Sequence, residues 1–179
     1  MQYPYIYSHR HYSRLHCISR LLFISMLFLP KVIADQWEGQ CVAVTDGDTI
    51  SVMRDGEAEK IRLYGVDCPE MGQNFGNEAK EFTSAMTLGK KIKVIGVQKN
   101  KDKYGRTVAD VEIDGEKLNR ELIVNGWAWV DARYCQAREC AEWQRLQKQA
   151  QENGVGIWGG GKDKTDSPPV SQENNAGTP

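Results

Sequence analysis

The sequence predicts an α+β domain of five β-strands, with one helix after the third strand and two after the fifth. Three observations carry this. Between residues 40 and 113 apolar and polar residues alternate in short runs, the period of half-buried strands. Asp-Gly pairs at 46–47, 55–56 and 114–115 punctuate those runs, and such pairs signal tight turns. Three longer stretches show helical spacing instead, each stopped by a glycine: Gly89, Gly126 and Gly154.

The elements follow in order. Residues 40–45 form strand one and residues 49–54 strand two, with Ile50 and Val52 on one face. Residues 60–66 form strand three. An antiparallel hairpin of strands two and three brings Asp48, which opens one, and Asp67, which closes the other, to the same end. Residues 77–88 are a helix whose stripe of Ala79, Phe82 and Met86 faces a core. Residues 91–98 form strand four, with Ile92, Val94 and Val97 alternating, and residues 106–113 form strand five. A second helix covers 118–125, followed by Trp127 and Trp129, which pack rather than bind. A third covers 139–153, with Trp143, Leu146 and Ala150 on one face and Ile157-Trp158 folding back onto the core. This order suits an OB-type Greek-key β-barrel.

The ends read differently. Residues 1–20 carry Arg10, Arg14 and Arg20 and no acid, residues 21–29 are a short apolar run, and Val32-Ile33-Ala34 has the small-residue character of a cleavage site. This is a signal peptide over 1–34, cleaved after Ala34. The apolar run is shorter than the ~20 residues that span a bilayer, and an uncleaved anchor is the alternative. From residue 159 to 179 the chain is Gly, Pro, Ser, Asn and charge, the composition of a disordered tail. One domain, residues 35–158, lies between, and a monomer without stable membrane insertion is expected. No lipid-attachment cysteine follows the apolar run, so a secreted or periplasmic product is expected.

Removing the leader changes the available chemistry. All three histidines, His9, His11 and His16, leave with it, which excludes a histidine base or histidine metal ligand. Losing Arg10, Arg14, Arg20 and Lys31 leaves 19 basic against 24 acidic residues, a net charge of −5. Such a chain is no general nucleic-acid coat, so any nucleic acid must be held at a local basic site. Of the four remaining cysteines, Cys135 and Cys140 flank a short polar turn and are the expected disulfide in an oxidising compartment. Their spacing is not that of a zinc site. The sequence leaves open whether Cys41 and Cys68 pair.

Two stretches carry chemistry. Asp67-Cys68-Pro69-Glu70 ends the third strand with two carboxylates beside Arg62, and Pro69 stiffens the loop. Acids and a guanidinium at one strand end suit a hard metal ion and a phosphate together. Residues 99–106 carry four positive charges and one negative in an otherwise acidic chain. Arg106 there can grip a phosphate bidentately, beside the aromatic Tyr104. Each stretch alone also reads as an ordinary solvated turn.

Together the motifs are more specific. Asp46-Gly47-Asp48-Thr49, then Arg62 with Val66-Asp67-Cys68-Pro69-Glu70, then Asp102-Lys103-Tyr104-Gly105-Arg106 resemble, in order and spacing, the staphylococcal nuclease (thermonuclease-like) family. The resemblance runs over about residues 40–158. It implies an OB-fold nuclease that cleaves DNA and RNA phosphodiesters with Ca2+. It further implies Asp48 and Asp67 as carboxylate ligands of the metal and Cys68, in place of a usual threonine, as a ligand through its backbone carbonyl. Glu70 looks like the residue that activates the attacking water, Arg62 and Arg106 like the phosphate-binding pair, and Lys103, Tyr104 and Tyr134 like substrate contacts. The family often has a further tyrosine two residues before Tyr134; here Ala132 stands there. The alternative function is a catalytically inactive OB-fold module that binds single strands in the envelope. Such a module would use the arginines but has no need of the acids.

Overall fold

The computed structural model describes residues 35–97 and 101–160. The predicted leader, the tail beyond residue 160 and Lys99 of the basic loop lie outside them. Strand β1 (Gln36–Asp46) is the longest and runs along two partners. Its first half pairs antiparallel with β5 (Lys91–Gly96) and its second half with β2 (Thr49–Arg54), with register shifts after Cys41 and Val44. β2 continues through a hairpin into β3 (Glu57–Leu63), and β5 into β6 (Thr107–Ile113). A parallel pairing of β3 with β6, Ile61 beside Thr107, closes these five strands into a barrel. A short β4 (Val66–Asp67) pairs with β8 (Trp129–Val130), and β7 (Glu116–Lys117) extends the edge of β6. Helices α1 (Gly76–Thr87), α2 (Leu118–Val124) and α3 (Cys140–Glu152) complete the expected set of three.

The barrel interior is filled from both sides of the expected alternation. Ile50, Val52, Ile61, Leu63, Ile92, Val94 and Val111 are all buried. Leu118, Leu122 and Ile123 of α2 and Trp143 of α3 pack into the same core. Each such side chain, fully buried, contributes about 1.5–3 kcal/mol. In α1, Ala79 is buried and Phe82 and Met86 lie against the core, as their spacing predicts. Among the described residues no helix is long and apolar enough to cross a membrane.

Several boundaries differ from expectation, each for a local reason. β1 starts four residues earlier than predicted. Gly39 lies where the strand crosses β2 so closely that a Cβ would sit 2.0 Å from the Met53 carbonyl oxygen. The predicted third strand breaks after Leu63, because Gly65 turns the chain at φ 69° and delivers Val66-Asp67 to a different partner, β8. Val97 does not join Ile92 and Val94 on the inner face: it lies past the end of β5 and is exposed. The period of two would have required residue 96, which is glycine.

The closing seam has its own fastening. Tyr64 N–H donates to the Ala109 carbonyl at 2.9 Å, just past the end of the parallel pairing. Buried Asn119 donates through Nδ2 to the Tyr64 carbonyl at 3.0 Å, and its Oδ1 accepts from Val111 N–H at 3.1 Å. The Tyr64 hydroxyl accepts from the N–H groups of Gln136 and Ala137. That loop is closed by a disulfide between Cys135 and Cys140, whereas Cys41 and Cys68 are free, buried thiols. Asn119→Ala strands a buried carbonyl and a buried N–H, and should lower stability by about 3 kcal/mol in urea titration. A loss below about 1 kcal/mol would show that the seam does not depend on this side chain.

Candidate active site

The β2–β3 hairpin end supplies one wall of the site. β3 sets Arg62 opposite Thr49, the neighbour of Asp48. Beyond the turn at Gly65, β4 carries Asp67 back beside it. Arg62 therefore lies between the two acids. Its NH1 is 3.1 Å from Asp48 Oδ2, and its NH2 donates to Asp67 Oδ1 at 2.7 Å. NH1 also donates to the carbonyls of Val66 and Leu63, at 2.7 and 3.1 Å.

Asp48 is 6% exposed. Thr49 Oγ1 donates to its Oδ1 and Cys68 N–H to its Oδ2. Burial pushes its carboxyl up to about 7; Arg62 and the Cys68 N–H pull the other way, and Asp46 and Asp67 push further up. Asp67 is also raised, first by burial, with Asp131 and Glu70 adding to it against Arg62.

The facing wall is the loop into β6. Asp102 organises it: Oδ1 accepts the N–H groups of Tyr104 and Arg106, both at 2.9 Å, and Oδ2 accepts Arg106 Nε at 2.8 Å. Arg106 NH1 reaches Thr49 Oγ1 at 3.5 Å, so the two arginines, from β3 and from the edge of β6, meet across the barrel seam. Tyr104 is 69% exposed, with Lys103 Nζ 4.9 Å and Arg106 Cζ 5.2 Å from its ring centroid. Glu70 lies on an exposed loop seated on α1. Its N–H donates to Gln73 Oε1, and its carbonyl presses so close to Gly76 that a Cβ there would lie 2.1 Å away.

A cavity of about 820 Å³ collects these groups: Asp48, Arg62, Asp67, Glu70, Lys103, Tyr104, Arg106 and Tyr134 all line it. Cys68 does not. Its thiol is buried below Gly47, where a Cβ would come within 2.7 Å of the sulfur, and burial pushes the thiol well above its usual range. Cys68 touches the site through its backbone N–H, which donates to Asp48. Lys60, Asp131 and Arg133 also line the cavity and were not anticipated. Asp102 was anticipated only as part of a motif, because its bonds to Tyr104 and Arg106 belong to a non-helical turn, where four-residue spacing signals no ion pair.

Among the described residues no group of three or more His, Cys, Asp or Glu side chains gathers as a metal centre. Asp48 and Asp67 share a guanidinium instead. The donor chemistry nonetheless fits a hard cation, which takes carboxylate and carbonyl oxygens. Six carboxylates face the cavity (Asp46, Asp48, Asp67, Glu70, Asp102 and Asp131) against five cations (Lys60, Arg62, Lys103, Arg106 and Arg133). Asp48 and Asp67 are both raised, first by burial, so a cation beside them would favour their charged forms.

Arg62 is therefore structural as well as chemical. Arg62→Met should lower stability by about 3 kcal/mol in metal-free urea titration at pH 8, because it leaves the buried Asp48 and the half-buried Asp67 without their counter-ion. The loss should shrink below pH 7, where Asp48 takes up a proton. An equal loss at pH 8 and pH 5 would contradict the Asp48 contact.

Residues 60–160 match the family of staphylococcal nuclease homologues. The chain is 31% identical over 144 residues to an uncharacterized endonuclease of Haemophilus influenzae, covering 78% of each chain. It is 33% identical over 131 residues to the thermonuclease of Staphylococcus hyicus, covering 70% of this chain and 78% of that one. It is 29% identical over 131 residues to the micrococcal nuclease of Shigella flexneri, covering 68% and 74%. Barrel, pocket and these likenesses agree: the chain belongs to the staphylococcal nuclease homologue family.

Proposed function

We propose that the chain is a calcium-dependent nuclease that hydrolyses phosphodiester bonds of DNA and RNA. Nuclease activity as such follows from the family and from relatives named thermonuclease, micrococcal nuclease and endonuclease. One observation carries the finer reading: two phosphate-gripping guanidiniums, Arg62 and Arg106, share a single pocket with Asp48, Asp67 and Glu70. Carboxylates that hold an arginine could serve a single-strand-binding module too, but such a module gains nothing from Glu70, whose charge would repel its ligand. A hydrolase needs them, to hold a cation and to take a proton.

The roles follow from position. Asp48, Asp67 and the Cys68 carbonyl would hold Ca2+, which when bound supplies the positive charge the pocket lacks. Arg106, fixed by Asp102, offers its free donors to the phosphate oxygens. Arg62 adds charge from the opposite wall, and both stabilise the negative charge that grows on those oxygens. Glu70 takes the proton of the attacking water as the new P–O bond forms and the leaving oxygen departs with its electron pair. Lys103, Tyr104 and Tyr134 hold the neighbouring nucleotide, Tyr104 and Tyr134 through their exposed rings.

The test is nicking of plasmid DNA, and cleavage of a single-stranded RNA, with calcium and with a chelator. Cleavage is expected only with calcium. Glu70→Gln should lose 10²-fold or more in rate while still binding nucleic acid. Binding without cleavage in the unaltered protein, under both conditions, would favour the inactive module.

Export is part of the same proposal. The backbone and side chain of Asp35 are already tied into the barrel: its carboxylate pairs with Arg54 at 3.0 and 3.2 Å, and its carbonyl accepts from Gly96 N–H. Cleavage before Asp35 would spare every one of these bonds. The intact mass of the active secreted or periplasmic protein should match a chain starting at Asp35, and retention of Met1 would overturn this.

A further inference from the structure

The pocket has a second exposed aromatic, and its surroundings repeat those of the first. Tyr134, 62% exposed, follows Arg133, whose Cζ is 5.5 Å from the ring centroid. Asp131 holds Arg133 by two parallel contacts: Nε to Oδ1 and NH2 to Oδ2, both 3.1 Å. Asp131 is itself well anchored. Its side chain is only 12% exposed, its N–H donates to the Gly65 carbonyl at 3.0 Å, and its carbonyl accepts from Tyr134 and Cys135 N–H.

Arg133 is thus a largely exposed cation on a rigid base. A guanidinium has five N–H donors; two go to Asp131 and three remain. Its place in the pocket is also distinct. The β4–β8 pairing and the Asp131 N–H bond to Gly65 set the loop of Arg133 beside Asp67, whereas Arg106 reaches Thr49, beside Asp48. The two cations stand on different sides of the pair that Arg62 bridges, so a phosphate gripped by Arg106 leaves Arg133 free for another.

Resting on the nuclease reading above, we propose that Arg133, positioned by Asp131, is a further substrate-binding residue. It contacts the phosphate next to the one at which the bond breaks, while the base between them lies on Tyr134. The ligand is a single strand carrying at least two phosphodiesters. Because Arg133 and Asp131 together are nearly neutral, the contact depends on the fork of donors more than on charge. The pocket therefore ranks substrates by length.

The experiment compares a trinucleotide with two phosphodiesters and a dinucleotide with one, in saturating calcium. The mature domain is used unaltered and as Arg133→Ala and Arg133→Lys, each checked for an unchanged thermal unfolding curve. Arg133→Ala should raise KM for the trinucleotide about tenfold more than for the dinucleotide, the size of one charge-assisted hydrogen bond, with kcat for the trinucleotide within about twofold. Arg133→Lys should recover only part of that difference. Equal changes on both substrates, or full recovery by lysine, would overturn the contact. Binding of the same two oligonucleotides in chelator, read by fluorescence anisotropy, separates the two readings. If the unaltered protein binds both in chelator but cuts neither in calcium, the nuclease reading fails alone. Arg133 then stands if Arg133→Ala weakens trinucleotide binding about tenfold more than dinucleotide binding, and falls if it does not.

Discussion

Everything at the site depends on one guanidinium in the right place. Arg62 is a counter-ion to Asp48 and Asp67 and a donor to the carbonyls of Leu63 and Val66, where the chain leaves one strand and enters another. Hydrophobic packing does not specify that corner. A buried carboxylate is costly unless paired, so the turn from Leu63 to Asp67 takes the one path that keeps both acids within reach of Arg62. The acids and both arginines thus line one pocket, held there by their own pairings.

The two exposed loops over the pocket solve a common problem by a common device. Long loops lose precision because their backbones have few partners. In each loop here an aspartate accepts backbone N–H groups and at the same time holds an arginine beside a solvent-facing tyrosine. Asp102 does this for Arg106 and Tyr104, and Asp131 for Arg133 and Tyr134. Local side-chain to backbone bonding replaces the missing ladder. It keeps the surface cations aimed, at little cost in core volume.

Much of this was legible in the residues, and the failures have physical causes. The turns at Asp55-Gly56 and Asp114-Gly115 have both residues at positive φ, as the pair demands. Asp46-Gly47 turns the chain too, but for a different reason: Gly47 is not at positive φ, and what it supplies is room for Cys68 and Ala79. The meeting of Asp48 and Asp67 was readable, although the turn at Gly65 and β4, not the end of the hairpin, bring Asp67 back. The first half of β1 was not, because Gln36-Trp37-Glu38-Gly39 has little apolar alternation and its glycine serves a strand crossing. Arg133 was invisible for a tertiary reason. The pairing of β4 with β8, two residues each, and the bonds of its loop to Gly65 and Tyr64 bring that loop to Asp67.

The barrel's closure has a consequence in time. The hairpins β1–β2–β3 and β5–β6 join neighbours in the chain, whereas the β1–β5 pairing, Gln36 to Ile95, and the parallel seam, Ile61 to Thr107, need long intervening stretches to be gathered. Contacts of that span form only after a large loop-closure entropy has been overcome, so they come late in folding. Arg62 and Arg106 lie on either side of that seam. Until it shuts they belong to separate pieces of chain, so the pocket that both line arrives only with the long-range contacts of the fold.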